Sequence, residues 1–134
     1  MLATLSSATL SFFLVSISYA AEFSCVSGNL RQVEFGKIKT ESAEYCFNKD
    51  QTILISKNCQ SMTCEAFKGN RKYRIDELLS QMGKPAFKLC RNLGGQPELV
   101  EFSVSNRFYK LDRCLFRDGS FVDTDYLLSF YLKR

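Results

Sequence analysis

The chain has 134 residues, six cysteines and no histidine, and its 18 basic and 14 acidic side chains leave a formal net charge of +4. Without histidine the usual proton carrier near neutral pH is missing, which excludes Ser-His and Cys-His nucleophilic catalysis and any mixed cysteine-histidine zinc site. So mild a charge argues against a nucleic-acid partner, because that affinity rests on many phosphate contacts.

Residues 1–20 carry no charged side chain, hold an apolar run at 10–17 and end in Ser18-Tyr19-Ala20. This is the pattern of a secretory signal peptide cleaved before Ala21. The run falls short of the roughly 20 residues that cross a bilayer, so no membrane span is expected after cleavage. The expected localisation is periplasmic or secreted, in a bacterium. Cys25, Cys46, Cys59, Cys64, Cys90 and Cys114 all follow the signal. An even number of cysteines in a small exported chain reads as three disulfides. A four-cysteine zinc site is the competitor, but only Cys59 and Cys64 lie close together. No cofactor is expected.

Residues 21–67 form a β-rich cysteine unit. Alternation at 31–35 and a β-branched run at 52–55 predict strands, and 59–67 fits a short turn of helix. Residues 68–84 read as a basic linker followed by a short helix at 76–82, with Gly83 past its end. Lys68, Arg71, Lys72 and Arg74 place four cations within seven residues. They are the candidate contact for an anionic partner, although a solvated, mobile linker is the simpler reading.

Residues 85–134 form a second cysteine unit. Pro85 suits a first helical position, Ala86, Leu89, Cys90 and Leu93 share a face, and Gly94 suits the left-handed stop. Strands follow at 99–104 and 108–111, and Asp118-Gly119 is a hairpin turn pair. The apolar tail at 126–132 fits either helix or strand.

The two units resemble each other. Cys25 to Gly28, Val33-Glu34-Phe35 and Cys46 to Asp50 parallel Cys90 to Gly94, Val100-Glu101-Phe102 and Cys114 to Asp118. A degenerate duplication predicts the pairs Cys25–Cys46, Cys90–Cys114 and Cys59–Cys64. The fold class is α+β: disulfide-braced antiparallel β hairpins or sheets with short helices, in two related units.

Pro85-Ala86, Cys90, Gly94-Gly95, Cys114 and Asp118-Gly119-Ser120 carry a further likeness. Over residues 85–126 the chain resembles a small secreted bacterial domain often labelled a haemolysin. Lys84 stands where that domain has Asn, Val122 near its third cysteine, and Tyr126 nearest its tryptophan. The resemblance implies export and supplies no catalytic residue. No segment after the signal looks able to insert as a span, which leaves the haemolysin label little support.

Asp118, Asp123 and Asp125 could gather near one hairpin as paired acids or a calcium site, but turn and cap roles are their ordinary use. Phe102, Phe108, Tyr109, Phe116, Phe121, Tyr126, Phe130 and Tyr131 are expected mostly in the core, with one or two exposed as anchors. The functional expectation is a non-enzymatic binding module whose partner is a protein or an envelope component, an enzyme inhibitor being one concrete form. A structural envelope protein is the alternative, and a carboxylate-dependent hydrolase the third.

Overall fold

The computed structural model describes residues 22–134, so the signal-peptide expectation lies outside the described residues. Six strands form an antiparallel closed barrel: β1 (Phe23–Glu34), β2 (Lys37–Asn48), β3 (Leu54–Ser56), β4 (Gln96–Val104), β5 (Arg107–Leu115) and β6 (Phe121–Asp123). Around the barrel the order is β1-β2-β3-β6-β5-β4. Helix α1 (Pro85–Asn92) and helix α2 (Thr124–Tyr131) pack on its outside, with short 3-10 turns at Lys57–Cys59, Glu65–Phe67 and Ile75–Leu78.

The hairpins expected from the sequence are present, but they do not stand alone. Each unit contributes a long hairpin and a short third strand, and the two units pair edge to edge. One seam joins β1 to β4 through Leu30–Phe102, Arg31–Glu101 and Gln32–Val100. The other joins β3 to β6 through Ile55–Val122, reinforced where the Phe121 N–H donates to the Ser56 hydroxyl at 3.0 Å. Closure removes the edges that two separate hairpins would expose.

Both seams are antiparallel, which relates the units by an approximate two-fold. About the first seam Leu30 corresponds to Val100 and the turn Phe35-Gly36 to Ser105-Asn106; about the second, whose register is offset by two positions on β2 and β5, Ile55 corresponds to Val122 and Cys46 to Cys114. The sequence parallel at Cys46 and Cys114 follows this relation. Elsewhere it does not. Val100-Glu101-Phe102 lies level with Leu30-Arg31-Gln32 rather than with Val33-Glu34-Phe35, and Cys25 sits in a strand whereas Cys90 sits in α1.

The strands are buried on both faces near the closure. Leu30, Tyr45, Phe47, Leu54, Val100, Phe102 and Phe121 cluster together. The alternate residues Cys46, Ile55, Cys114 and Val122 instead join Leu78, Leu89, Cys90, Leu127 and Tyr131 beneath the helices. Alternation along a strand sends neighbours to opposite faces, so one sheet serves two cores. Arg113 is almost fully buried among them and is neutralised by Glu41 at 2.9 Å and Glu98 at 3.0 Å.

The disulfides join Cys25–Cys46, Cys59–Cys64 and Cys90–Cys114, the pairs that the two-unit reading expects. The first links directly opposed residues of β1 and β2. The last ties α1 to β5, where Gly95 lies so close that an added Cβ would sit 2.3 Å from the Cys114 sulfur. Gly94 holds φ +87, the left-handed stop expected after α1.

Two local expectations need correction, and one left open between helix and strand is decided. The helix expected at 76–82 is only the 3-10 turn Ile75–Leu78, because Leu79 returns to extended backbone and the Glu77 carboxylate is used in accepting the Arg74 N–H at 2.8 Å. The tail is helical, starting at Thr124, because the Asp123 carboxylate accepts the Tyr126 N–H at 2.8 Å and caps the helix. Residues 68–74 are not a mobile linker. Tyr73 is buried, its N–H donates to the Tyr131 carbonyl at 2.8 Å, and its own carbonyl accepts from Lys133 at 2.8 Å, so the segment is stitched to the end of α2.

Candidate functional site: an apolar tip on the first hairpin

The cysteines, the basic segment and the aspartates are the residues that the sequence offers as sites. Each basic side chain is already engaged. Lys68 pairs with Glu65 at 3.4 Å, Arg71 with Glu77 at 2.5 Å, and Arg74 with Asp76. Lys72 donates to the Phe130 carbonyl and lies 4.0 Å from the centre of the Phe130 ring. It also lines a surface cavity of about 570 Å³ with Phe130, Leu132, Lys133 and Arg134. The four cations therefore do not converge on a common anion position: three are matched by neighbouring carboxylates and the fourth by an aromatic ring and a carbonyl.

The aspartates are likewise occupied by local structure. Asp118 accepts from both the N–H and the hydroxyl of Ser120, which hold its carboxyl below the usual range and fix the β5–β6 turn. Asp123 is buried as the cap of α2, and burial pushes its carboxyl up to about 7. Asp125 is exposed and shares Lys84, at 3.3 Å, with Asp112 at 2.7 Å. Burial by itself would lower the Lys84 pKa, but these two carboxylates outweigh it and raise it. Among the described residues, no group of three or more potential metal ligands comes together.

Most of the expected core aromatics are buried or partly buried. Phe108 is partly exposed, but the Arg31 guanidinium lies 3.4 Å from its ring centre and covers one face. The side chain without such cover is one that the sequence reading placed inside a strand. Phe35 is 96% exposed, at the tip of the β1–β2 hairpin.

The geometry of that tip follows from the chain. Val33 pairs with Ile38 and Glu34 with Lys37, leaving Phe35 and Gly36 as a two-residue turn. Both hold positive φ, 50° and 74°. Two-residue hairpins demand this handedness, and Asn-Gly or Asp-Gly is the usual answer. A bulky side chain there is an outlier, since left-handed backbone costs roughly 1–2 kcal/mol in a residue with a Cβ. The two-fold-related turn shows the ordinary solution: Ser105 and Asn106 hold φ 49° and 65° with short polar side chains.

Phe35 is not isolated. The paired Val33 and Ile38 are both exposed on one face of the hairpin, 38% and 64% respectively. Continuing the register one step beyond Gln32–Val100 brings Val33 level with Leu99, which is also exposed. Lys37 and Lys39 stand just behind the tip, and among the described residues neither enters a salt bridge. The signal that locates this site in the sequence is Gly36 between two alternating stretches, which reassigns Phe35 from strand to turn.

At the opposite end of the barrel β1 and β4 splay apart, leaving an open cavity of about 550 Å³ lined by Val26, Tyr45, Phe47, Val104 and Phe108. The Tyr45 hydroxyl donates to the Ser103 carbonyl at 2.6 Å and fills the space over Gly28.

No known family's profile matches the chain, and neither curated proteins nor solved structures provide a match.

Proposed function

We propose that this protein is a non-enzymatic binding module of the periplasm or cell exterior that engages an envelope component through the tip of its β1–β2 hairpin. The observation that carries this reading is Phe35: a large apolar side chain held in strained backbone, making no contribution to the core. Strained backbone of this kind clusters at ligand-binding and switch sites. The three disulfides suit an oxidising compartment, and no helix among the described residues is long and apolar enough to cross a membrane. The likeness of residues 85–126 to a secreted bacterial domain supports export in the same way. An enzyme inhibitor that inserts the tip into a cleft is one form of this function. A hydrolase is disfavoured because Asp118 and Asp123 are used in a turn and a cap.

The test is capture from envelope extract by the immobilised exported protein, compared with its Phe35→Asn variant. Asparagine suits the turn, so folding is kept while the apolar tip is lost. A component retained by the native protein and released by the variant, identified by mass spectrometry, is the expected result. Equal capture by both overturns the proposal.

A further inference from the structure

The shape and charge of the hairpin tip narrow the choice of partner. The tip is convex, with Phe35 projecting beyond the last cross-strand pair, and Val33 and Ile38 lie directly beneath it on one face. A protein partner must supply a matching cavity, whereas a lipid interface accommodates a projecting aromatic ring without one. Phenylalanine is among the apolar side chains that bury at the boundary between headgroups and acyl chains.

The charge pattern agrees. Lys37 and Lys39 stand behind the tip, Lys37 directly across the hairpin from Glu34, and neither enters an ion pair among the described residues. The cations at 68–74, by contrast, are matched within the fold. Free lysines one step behind an apolar tip suit a negatively charged headgroup layer: the ring enters the boundary while the ammonium groups remain level with the phosphates. The antiparallel β1–β4 seam also sends the two hairpin tips to opposite ends of the barrel. One hairpin tip presents Phe35 and the other the short polar pair Ser105-Asn106, so the two tips differ in polarity.

We propose that the Phe35 tip docks on an anionic phospholipid bilayer, inserting Phe35, with Ile38 and Val33 behind it, while Lys37 and Lys39 contact the headgroups. This rests on the tip being the binding site, and it specifies the partner as lipid.

The chain contains no tryptophan, so a Phe35→Trp variant carries a single fluorescent reporter at the tip. The probe is vesicles of phosphatidylcholine with or without phosphatidylglycerol. The expected result is a blue shift of emission and co-sedimentation with phosphatidylglycerol-containing vesicles, both weakened by high salt and both absent with pure phosphatidylcholine. Lys37→Gln with Lys39→Gln should reduce vesicle binding by roughly tenfold or more while circular dichroism is unchanged. Phe35→Asn should abolish co-sedimentation. An unshifted emission with anionic vesicles overturns the lipid assignment. If Phe35-dependent capture of an envelope protein persists in that case, the binding-module reading stands and only its lipid partner fails; if neither assay responds to Phe35→Asn, both fall.

Discussion

Ile55 on β3 and Val122 on β6 face each other across the shorter of the two seams that close the barrel. They extend a row across the sheet, since Cys46 opposes Ile55 and Cys114 opposes Val122. Cys25 and Pro97 continue it at either end. The row faces the helices, and all four of its central residues are buried. Ile55→Ala should therefore open a cavity at the join between the two units, with a loss of about 2–5 kcal/mol in chemical denaturation. A loss below about 1 kcal/mol would mean that the seam contributes little to the folded state.

Gly95 permits the close approach of two elements. Its Cα hydrogen occupies a position where a methyl group would lie 2.3 Å from the Cys114 sulfur and 3.2 Å from that of Cys90. Gly95→Ala should destabilise by about 1–3 kcal/mol through overpacking. Gly94→Ala should also destabilise, but through its φ of +87, because nothing lies near an added Cβ there. A crystal structure of the Gly95 variant with α1 displaced from β5 would show the mechanism directly.

Phe35→Asn separates stability from binding. Relieving a left-handed aromatic residue at an exposed turn should raise stability by roughly 0.5–1 kcal/mol, read as a higher melting temperature. The same change in a buried strand residue would be strongly destabilising, so a stabilised variant also confirms the turn register.

Asp123 gives stability a pH dependence of unusual sign for a carboxylate. Burial raises its pKa to about 7, Asp125 and Asp112 add to the rise, and the Tyr126 N–H and Lys84 oppose it. An unfolded aspartate titrates near 3.9. Between about pH 4 and 7 the folded state keeps a proton that the unfolded state has released, so this group makes stability fall as pH rises through that window. Asp123→Asn retains a capping oxygen but cannot ionise. It should be more stable than the native protein at pH 8, by on the order of a few kcal/mol. The advantage should shrink towards zero near pH 4. Urea melts of both proteins at the two pH values provide the check; an advantage independent of pH would locate the effect elsewhere.

The basic segment divides into a buried anchor and an exposed rim. Tyr73→Ala should cost about 3 kcal/mol, by loss of a buried aromatic ring. Neutralising Arg71, Lys72 and Arg74 together should leave the melting temperature nearly unchanged, because exposed ion pairs contribute little. Amide exchange should show the Tyr73 N–H protected, which a mobile linker would not permit.

Much of the local architecture is legible in the residues alone. Pro85 and Gly94 bound α1 because one tolerates a first helical position and the other a positive φ, and Asp118-Gly119 marks a turn for similar reasons. The strand alternations and the spacing of Cys46 and Cys114 to their following aspartates are equally local. What pairs with what at long range is not local. The β1–β4 and β3–β6 seams join residues about seventy positions apart, and nothing in the alternation at 31–35 names Val100 or Phe102 as its neighbour. Nor does composition show that the cations at 68–74 find carboxylate and carbonyl partners, or that Tyr73 docks on α2. Phe35 shows the limit most clearly. Its type reads as a core residue, but its position is decided by which pairing closes the hairpin, and that pairing leaves it in the turn, outside both cores.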